Sequence, residues 1–260
     1  MSLEGFEEYK FSYEGKTCPV YRRGEGPGVI IMHEIPGITP LVTKFANSVA
    51  EDGFTVVMPN MFGTPGKSFS TAYAGMQFTR ACISKEFNVL AAKASSPITN
   101  YLRALCRETH KELGGKGVGA IGMCLTGNFA LSLMVDESVM APVLSQPSLP
   151  VGPTPGQKSG LHISDEELEI IKRKVNDGQK VLGLRFSHDM ACPGARFKKL
   201  REELGDNFEA IEIDSGPNNT FGNSRFAHSV LTMHLIDKEG HPTLAARDRV
   251  LSFLHENLDP

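Results

Sequence analysis

The sequence predicts an α/β protein: a mostly parallel sheet of about eight strands covered by helices on both faces. Two observations carry that prediction. Gly28-Val29-Ile30-Ile31-Met32-His33 and Phe54-Thr55-Val56-Val57-Met58 are continuous apolar runs of the kind that fill a parallel strand buried on both faces. Such runs also alternate along the chain with stretches of helical period, which gives right-handed strand–helix–strand units.

The elements follow in order. Residues 7–12 and 17–22 read as two strands joined through Tyr13-Glu14-Gly15-Lys16, whose Glu-Gly pair supplies a hairpin turn. After the strand ending at His33, Glu34-Ile35-Pro36-Gly37 is a loop. A helix runs from about Leu41 to Asp52 and closes on Gly53. Pro59 stops the next strand, and Asn60 to about Thr79 shows no periodicity, which predicts a loop or lid over the sheet's carboxyl edge. Residues from about Lys85 to Leu113 read as helical with a break at Pro97. Residues 117–122 form a strand, a turn follows at Cys124, and Asn128 to Met134 are helical.

Residues 138–145 are a further strand before the Pro-rich loop Ser145 to Gly160. Ser164-x-x-Glu167 is a capping box that opens a helix ending at Asp177-Gly178. Lys180 to Phe186 is a strand, and Phe197, Leu200 and Leu204 mark a helix closed by Gly205. Residues 207–213 make the last strand. The final helix, about Thr243 to Asn257, carries Leu244, Leu251, Leu254 and Leu258 on one stripe. With no internal repeat and no second core, residues 1–260 are expected to form a single domain.

Composition narrows the classes of function. The formal charge is −3 and the cations are scattered, so neither nucleic acid nor an anionic membrane is an expected partner. The opening decapeptide lacks the basic and apolar regions of a signal peptide, and no run approaches the ~18 apolar residues of a membrane span. A cytoplasmic location is expected; the oligomeric state is left open. Five cysteines without a C-x-x-C pair argue against a disulfide framework or zinc site and suit a reducing compartment. Cys106, inside a helical stretch, reads as core; Cys18, before Pro19, reads as structural.

Cys124 is different, because an apolar strand stops at a glycine beside it and a helix begins just after it. A side chain at such a turn projects from the carboxyl edge of the sheet, and the next backbone N–H can face a developing oxyanion. A thiol nucleophile needs a base, and the base needs an orienting carboxylate. Ser187-His188-Asp189 follows one later strand, and Phe226-Ala227-His228-Ser229 follows the last. Asp189 also reads as a helix cap. His228 competes with His234 and His241 but stands nearest the end of the last strand. Thr126, two residues after Cys124, is β-branched and disfavours positive φ, which questions the turn's geometry.

Met32-His33-Glu34-Ile35-Pro36-Gly37, Pro59-Asn60-Met61-Phe62-Gly63, Gly122-Met123-Cys124-Leu125-Thr126-Gly127, Asp189-x-x-Cys192-Pro193 and Ala227-His228 together resemble the dienelactone hydrolase family. The resemblance spans nearly the whole chain. It implies an α/β-hydrolase fold and a Cys124, Asp189, His228 triad that cleaves small esters or lactones. It also implies that Glu34 contacts the resting thiol, and that the N–H groups of Ile35 and Leu125 form the oxyanion hole. The family usually has glycine where Thr126 stands. Arg80 is a loose positional match for an arginine that binds the substrate carboxylate; Arg225 is an alternative that also reads as a surface charge, and Thr232 stands four residues beyond His228.

The expected reaction is attack by Cys124, a thioester intermediate and hydrolysis, which calls for no metal or organic cofactor. Two rivals are a non-catalytic ligand-binding relative and a glutamine amidotransferase-like enzyme using His255-Glu256. The loops Ser145 to Gly160 and Asp214 to Arg225 are long enough to reshape a pocket.

Overall fold

A computed structural model describes residues 3–259. Strands β1 (Glu7–Tyr13) and β2 (Lys16–Arg23) form the leading hairpin. They are followed by β3 (Gly28–Met32), helix α1 (Pro40–Glu51), β4 (Thr55–Pro59), α2 (Thr71–Ile83) and α3 (Ile98–Leu113). Then come β5 (Val118–Met123), a 3-10 turn at Cys124–Thr126, α4 (Gly127–Leu133) and β6 (Val139–Ser145). The chain closes with α5 (Pro155–Ser159), α6 (Asp165–Asn176), β7 (Val181–Phe186), α7 (Gly194–Leu204), β8 (Phe208–Ile213) and α8 (Pro242–Leu258).

One eight-stranded sheet runs in the order β1-β2-β4-β3-β5-β6-β7-β8. The β1·β2 and β2·β4 pairings are antiparallel and the rest are parallel. The strictly alternating side chains of the strands feed two cores. Ile30 and Met32 of β3 join α3, α4, α6 and α7 on one face. Val29 and Ile31 join α1 and α8 on the other. That two-sided burial is why the strands read as unbroken apolar runs. No helix among the described residues is long and apolar enough to cross a membrane.

Four segments differ from expectation. The Pro-rich stretch Ser145 to Gly160, expected to be loop, contains the short helix α5, capped by Thr154 Oγ1 accepting from Gln157 N–H at 3.3 Å. The second half of the stretch expected to be loop, Asn60 to Thr79, enters helix α2, capped by Ser70 Oγ accepting from Tyr73 N–H at 3.3 Å. Its buried residues are Tyr73, Gln77 and Ala81, a four-residue spacing obscured by the polar Gln77. Residues 85–97, expected to be helical, are turns and irregular chain instead. Asn88 there takes φ 46°, a conformation that ends a helix, while Phe87 and Val89 are pinned in the core. Helix α8 buries Ala246, Val250, Phe253, Leu254 and Leu258 rather than the leucine stripe alone, with Leu244 and Leu251 half-buried.

The loop after β6 is held from within by Arg196 of α7, which is wholly buried. Its guanidinium donates to the carbonyls of Gly160 (2.8 Å), Pro147 (2.7 Å), Pro150 (2.9 Å) and Gln157 (2.9 Å). His33, at the end of β3, ties two further loops. Its Nε2 accepts from Met61 N–H at 3.1 Å, and its Nδ1 lies 3.2 Å from the Glu34 carbonyl.

Arg196→Met leaves four carbonyls without donors. The expected loss in urea-unfolding free energy is on the order of 3 kcal/mol, since each unmade buried bond costs ~1–3 and removing the buried charge returns part of it. His33 predicts a pH dependence. Burial lowers its pKa from 6.5 to about 4, so the unfolded chain takes up the proton first. Stability is therefore full above pH 6.5 and falls as the pH drops toward 4, by on the order of 3 kcal/mol. Urea titrations at pH 7 and pH 4.5 should show a smaller loss for His33→Gln than for the unchanged protein.

Candidate active site

Strand β5 ends in ordinary extended backbone at Met123, and Cys124 reverses the chain at φ 55°. This is a left-handed conformation in a residue other than glycine, shared among the described residues with Glu14, Asn88, Gln146 and His162. Thr126, by contrast, takes φ −93°, in the ordinary helical region. No positive φ is required there, so its β-branch is no obstacle. Its hydroxyl accepts from Met123 N–H at 2.9 Å and lies 2.8 Å from the Met32 carbonyl, to which it donates. The turn is thereby stitched to β3.

The need for small residues falls on Gly122 and Gly127. A Cβ at Gly122 would lie 2.2 Å from the Thr126 carbonyl oxygen, and one at Gly127 would lie 2.4 Å from Pro147 Cα. Ser148 N–H closes the arrangement by donating to the Cys124 carbonyl at 2.9 Å.

Asp189 stands in the loop after β7, and Arg185 shapes that loop from inside the sheet. The Arg185 guanidinium donates to the carbonyls of Cys192 and Ser187, both at 3.0 Å, and pairs with Glu212. The two oxygens of Asp189 do different things. Oδ1 accepts from the N–H groups of Ala191 (2.9 Å) and Cys192 (3.2 Å), and Oδ2 meets His228 Nδ1 at 2.7 Å. Asp189 does not cap α7, whose N-cap is Pro193 with no side-chain cap bond; one oxygen instead closes the turn at Ala191 and Cys192 while the other holds the histidine.

His228 sits between Asp189 and Cys124. Burial works against its charge, but the Cys124 sulfur and the Asp189 carboxylate outweigh that, and its pKa stands well above the ordinary value. The competing histidines have other tasks. His234 Nδ1 accepts from the N–H groups of His228 and Ser229, both at 3.2 Å, which makes it an acceptor that steadies the loop. His241 caps α8 through Thr243, and His188 is exposed beside Ser187. His255 bonds Asp259 and Asp52, and Glu256 pairs with Arg249. The amidotransferase-like pair therefore does not face this site.

Glu34 is buried at the mouth of β3, and its described hydrogen bonds do not include the Cys124 sulfur. Its carboxylate accepts from Ser229 Oγ at 2.7 Å, Gln146 Nε2 at 3.2 Å and Thr232 Oγ1. Gln146 in turn accepts from Val230 N–H at 3.2 Å. The expected partner of Glu34 was the thiol; instead it is held by two donors from the segment that carries His228, Ser229 and Thr232, and by Gln146 from the end of β6. The bonds of Ser229, Thr232 and Gln146 to Glu34 are what reading along the chain missed. Contacts such as Glu34 to Ser229 close over 195 residues, and no local pattern signals them.

Cys124, His228, Glu34, Ile35 and Leu125 all line one cavity of about 730 Å³. The Leu125 N–H belongs to the first turn after the strand, where helical geometry leaves it without a partner. The Ile35 N–H has no hydrogen-bond partner among the described residues. Arg80 is not part of the cavity. Helix α2 turns Thr71, Gly75 and Phe78 toward it, and Arg80, two residues past Phe78, points away into solvent. Arg225 and the loop Asp214 to Arg225 are outside it as well, whereas Ser148, Pro150 to Pro153 and Lys158 from the Pro-rich segment line it. Among the described residues no group of three or more His, Cys, Asp or Glu side chains is arranged to hold a metal ion.

The sequence profile of the dienelactone hydrolase family matches residues 18–254. A Saccharomyces cerevisiae protein named as a candidate carboxymethylenebutenolidase is 25% identical over 222 residues, covering 81% of this chain and 78% of its own. Solved structures share the fold. A candidate dienelactone hydrolase from Klebsiella pneumoniae superposes with a TM-score of 0.63 at 17% identity, over 96% of this chain and 98% of its own. Dienelactone hydrolase from Anabaena variabilis gives 0.60 at 11% identity, over 98% and 100%. The fold is that of the α/β hydrolases, and by the extent of the profile match the chain belongs to the dienelactone hydrolase family.

Proposed function

We propose that this protein hydrolyses small esters or lactones through a Cys124, His228, Asp189 triad and a thioester intermediate. The observation that carries the reading is His228 held between the Asp189 carboxylate and the Cys124 sulfur at the edge of the cavity. Asp189 fixes the ring so that Nδ1 carries a proton toward Oδ2, leaving Nε2 for the thiol.

His228 takes the proton from Cys124, and the sulfur attacks the carbonyl carbon. The oxyanion is held by the N–H groups of Leu125 and Ile35, which have no other partner to give up. Collapse of the tetrahedral intermediate forms the thioester, and the imidazolium gives its proton to the departing alkoxide. Water deprotonated by His228 then attacks the thioester, releasing the acid and restoring the thiol. Glu34 is a positioning group in this scheme: through Ser229 and Thr232 it sets the loop that presents His228. A non-catalytic reading rested on Thr126 obstructing the turn, and its ordinary φ removes that ground.

Cys124→Ala is expected to abolish turnover of p-nitrophenyl acetate, and Asp189→Asn to lower kcat by on the order of 10³–10⁴ with the fold intact by circular dichroism. Wild-type turnover in Cys124→Ala would refute the assignment. Site-resolved alkylation by iodoacetamide at neutral pH is a second check. Burial pushes the thiol of Cys106 far up and that of Cys192 up to about 12, so Cys124 is expected to react at least ~100-fold faster than either.

A further inference from the structure

We infer that the cavity selects uncharged esters or lactones bearing an extended apolar chain, and discriminates against those whose chain ends in a carboxylate. The inference rests on the reading of Cys124 as nucleophile and adds the chemical class of what it attacks.

Large apolar side chains make up much of the cavity's lining. Phe78 comes from α2 and Phe69 from just before it, Pro150 and Val151 from the loop after β6, Met190 from the loop after β7, and Met233 from the segment that carries His228. Phe69 is 44% exposed, Phe78 40% and Met190 88%. Large apolar side chains concentrated at one mouth are surface that a bound apolar group would remove from water.

Charge points the same way. A carboxylate on the substrate needs a cation it can touch. Arg196 lines the cavity but is wholly buried, and four carbonyls already take its N–H groups. Arg80 and Arg225 are outside. His234 is held as an acceptor by two backbone N–H groups. His228 is engaged with Asp189. Lys158, exposed on α5 at the rim, is the one remaining cation of the lining. The only acidic side chain in the lining is Glu34, whose formal charge repels an anion. A cavity of about 730 Å³ also exceeds what an acetyl group fills.

The test compares kcat/KM for p-nitrophenyl acetate, p-nitrophenyl hexanoate and the mono-p-nitrophenyl ester of adipic acid, which has the hexanoate length with a terminal carboxylate. Ethyl and hexyl acetate, followed by pH-stat, read the alcohol side. Each buried methylene is worth about fourfold, so extension on at least one side should raise kcat/KM tenfold or more, and the adipate ester should fall at least tenfold below the hexanoate. Phe78→Ser should lower the hexanoate-to-acetate ratio. No gain on either side, or an adipate ester used as well as the hexanoate, overturns the inference; the second result would assign carboxylate recognition to Lys158. Calorimetric binding of hexyl phenyl ketone and of its analogue with a terminal carboxylate to Cys124→Ala reads the same preference without turnover. Tighter binding of the neutral ketone by a Cys124→Ala protein that keeps wild-type esterase activity would overturn the Cys124 assignment and leave the cavity's preference standing; equal or tighter binding of the carboxylate would overturn the preference.

Discussion

The reversal of the chain at Cys124 is the constraint on which the rest of the site depends. A parallel strand buried on both faces must hand over to a helix within one residue, and that residue adopts φ 55° although it carries a side chain. Strain of this kind, of order 1–3 kcal/mol, persists only where neighbours over-determine it. Here those neighbours are identifiable. Gly122 lets the Thr126 carbonyl pass, Gly127 lets Pro147 pack, Thr126 bonds the turn to β3, and Ser148 holds the Cys124 carbonyl. The residue most out of place on sequence grounds, Thr126, is one of the ties.

Two further loops are brought to that turn by groups buried in the scaffold. Arg185 lies within β7 yet bonds the backbone of the Asp189 loop, so the carboxylate is positioned from inside the sheet. Glu34 does the same for the His228 loop through Ser229 and Thr232. Both devices place a charge in the interior, which is tolerable because every such group is hydrogen-bonded and, for Arg185, paired with Glu212. The chemistry proposed for Cys124 therefore relies on buried polar links as well as on the three residues that would perform it.

The cavity follows from the same organisation. Arg196 gathers the carbonyls of the loop after β6 and so builds a wall whose exposed surface is proline and valine, while its own charge is consumed in the construction. Helix α2 supplies the other wall with Phe78 turned inward and Arg80 turned out. A cation near in sequence to a site is thus no guide to the charge the site presents.

Local physics made much of this legible from the residues alone. Unbroken apolar runs announced the parallel strands, since two-sided burial leaves no polar face, and the glycine-flanked Cys124 announced the turn. The loop positions of Asp189 and His228 followed because strands of a parallel sheet all end at one edge, and the structure brings those two side chains within hydrogen-bond distance. Tertiary structure alone decided the remainder. That Thr126 needs no positive φ, that Glu34 faces Ser229, Thr232 and Gln146, and that Arg196 rather than Arg80 reaches the cavity lining are outcomes of packing between segments far apart in the chain. So too is α2, whose buried Gln77 breaks the apolar period by which a helix is read. Periodicity and turn chemistry act over a few residues and can be read along the chain; a hydrogen bond closed over 195 residues exists only once the sheet has set its ends side by side.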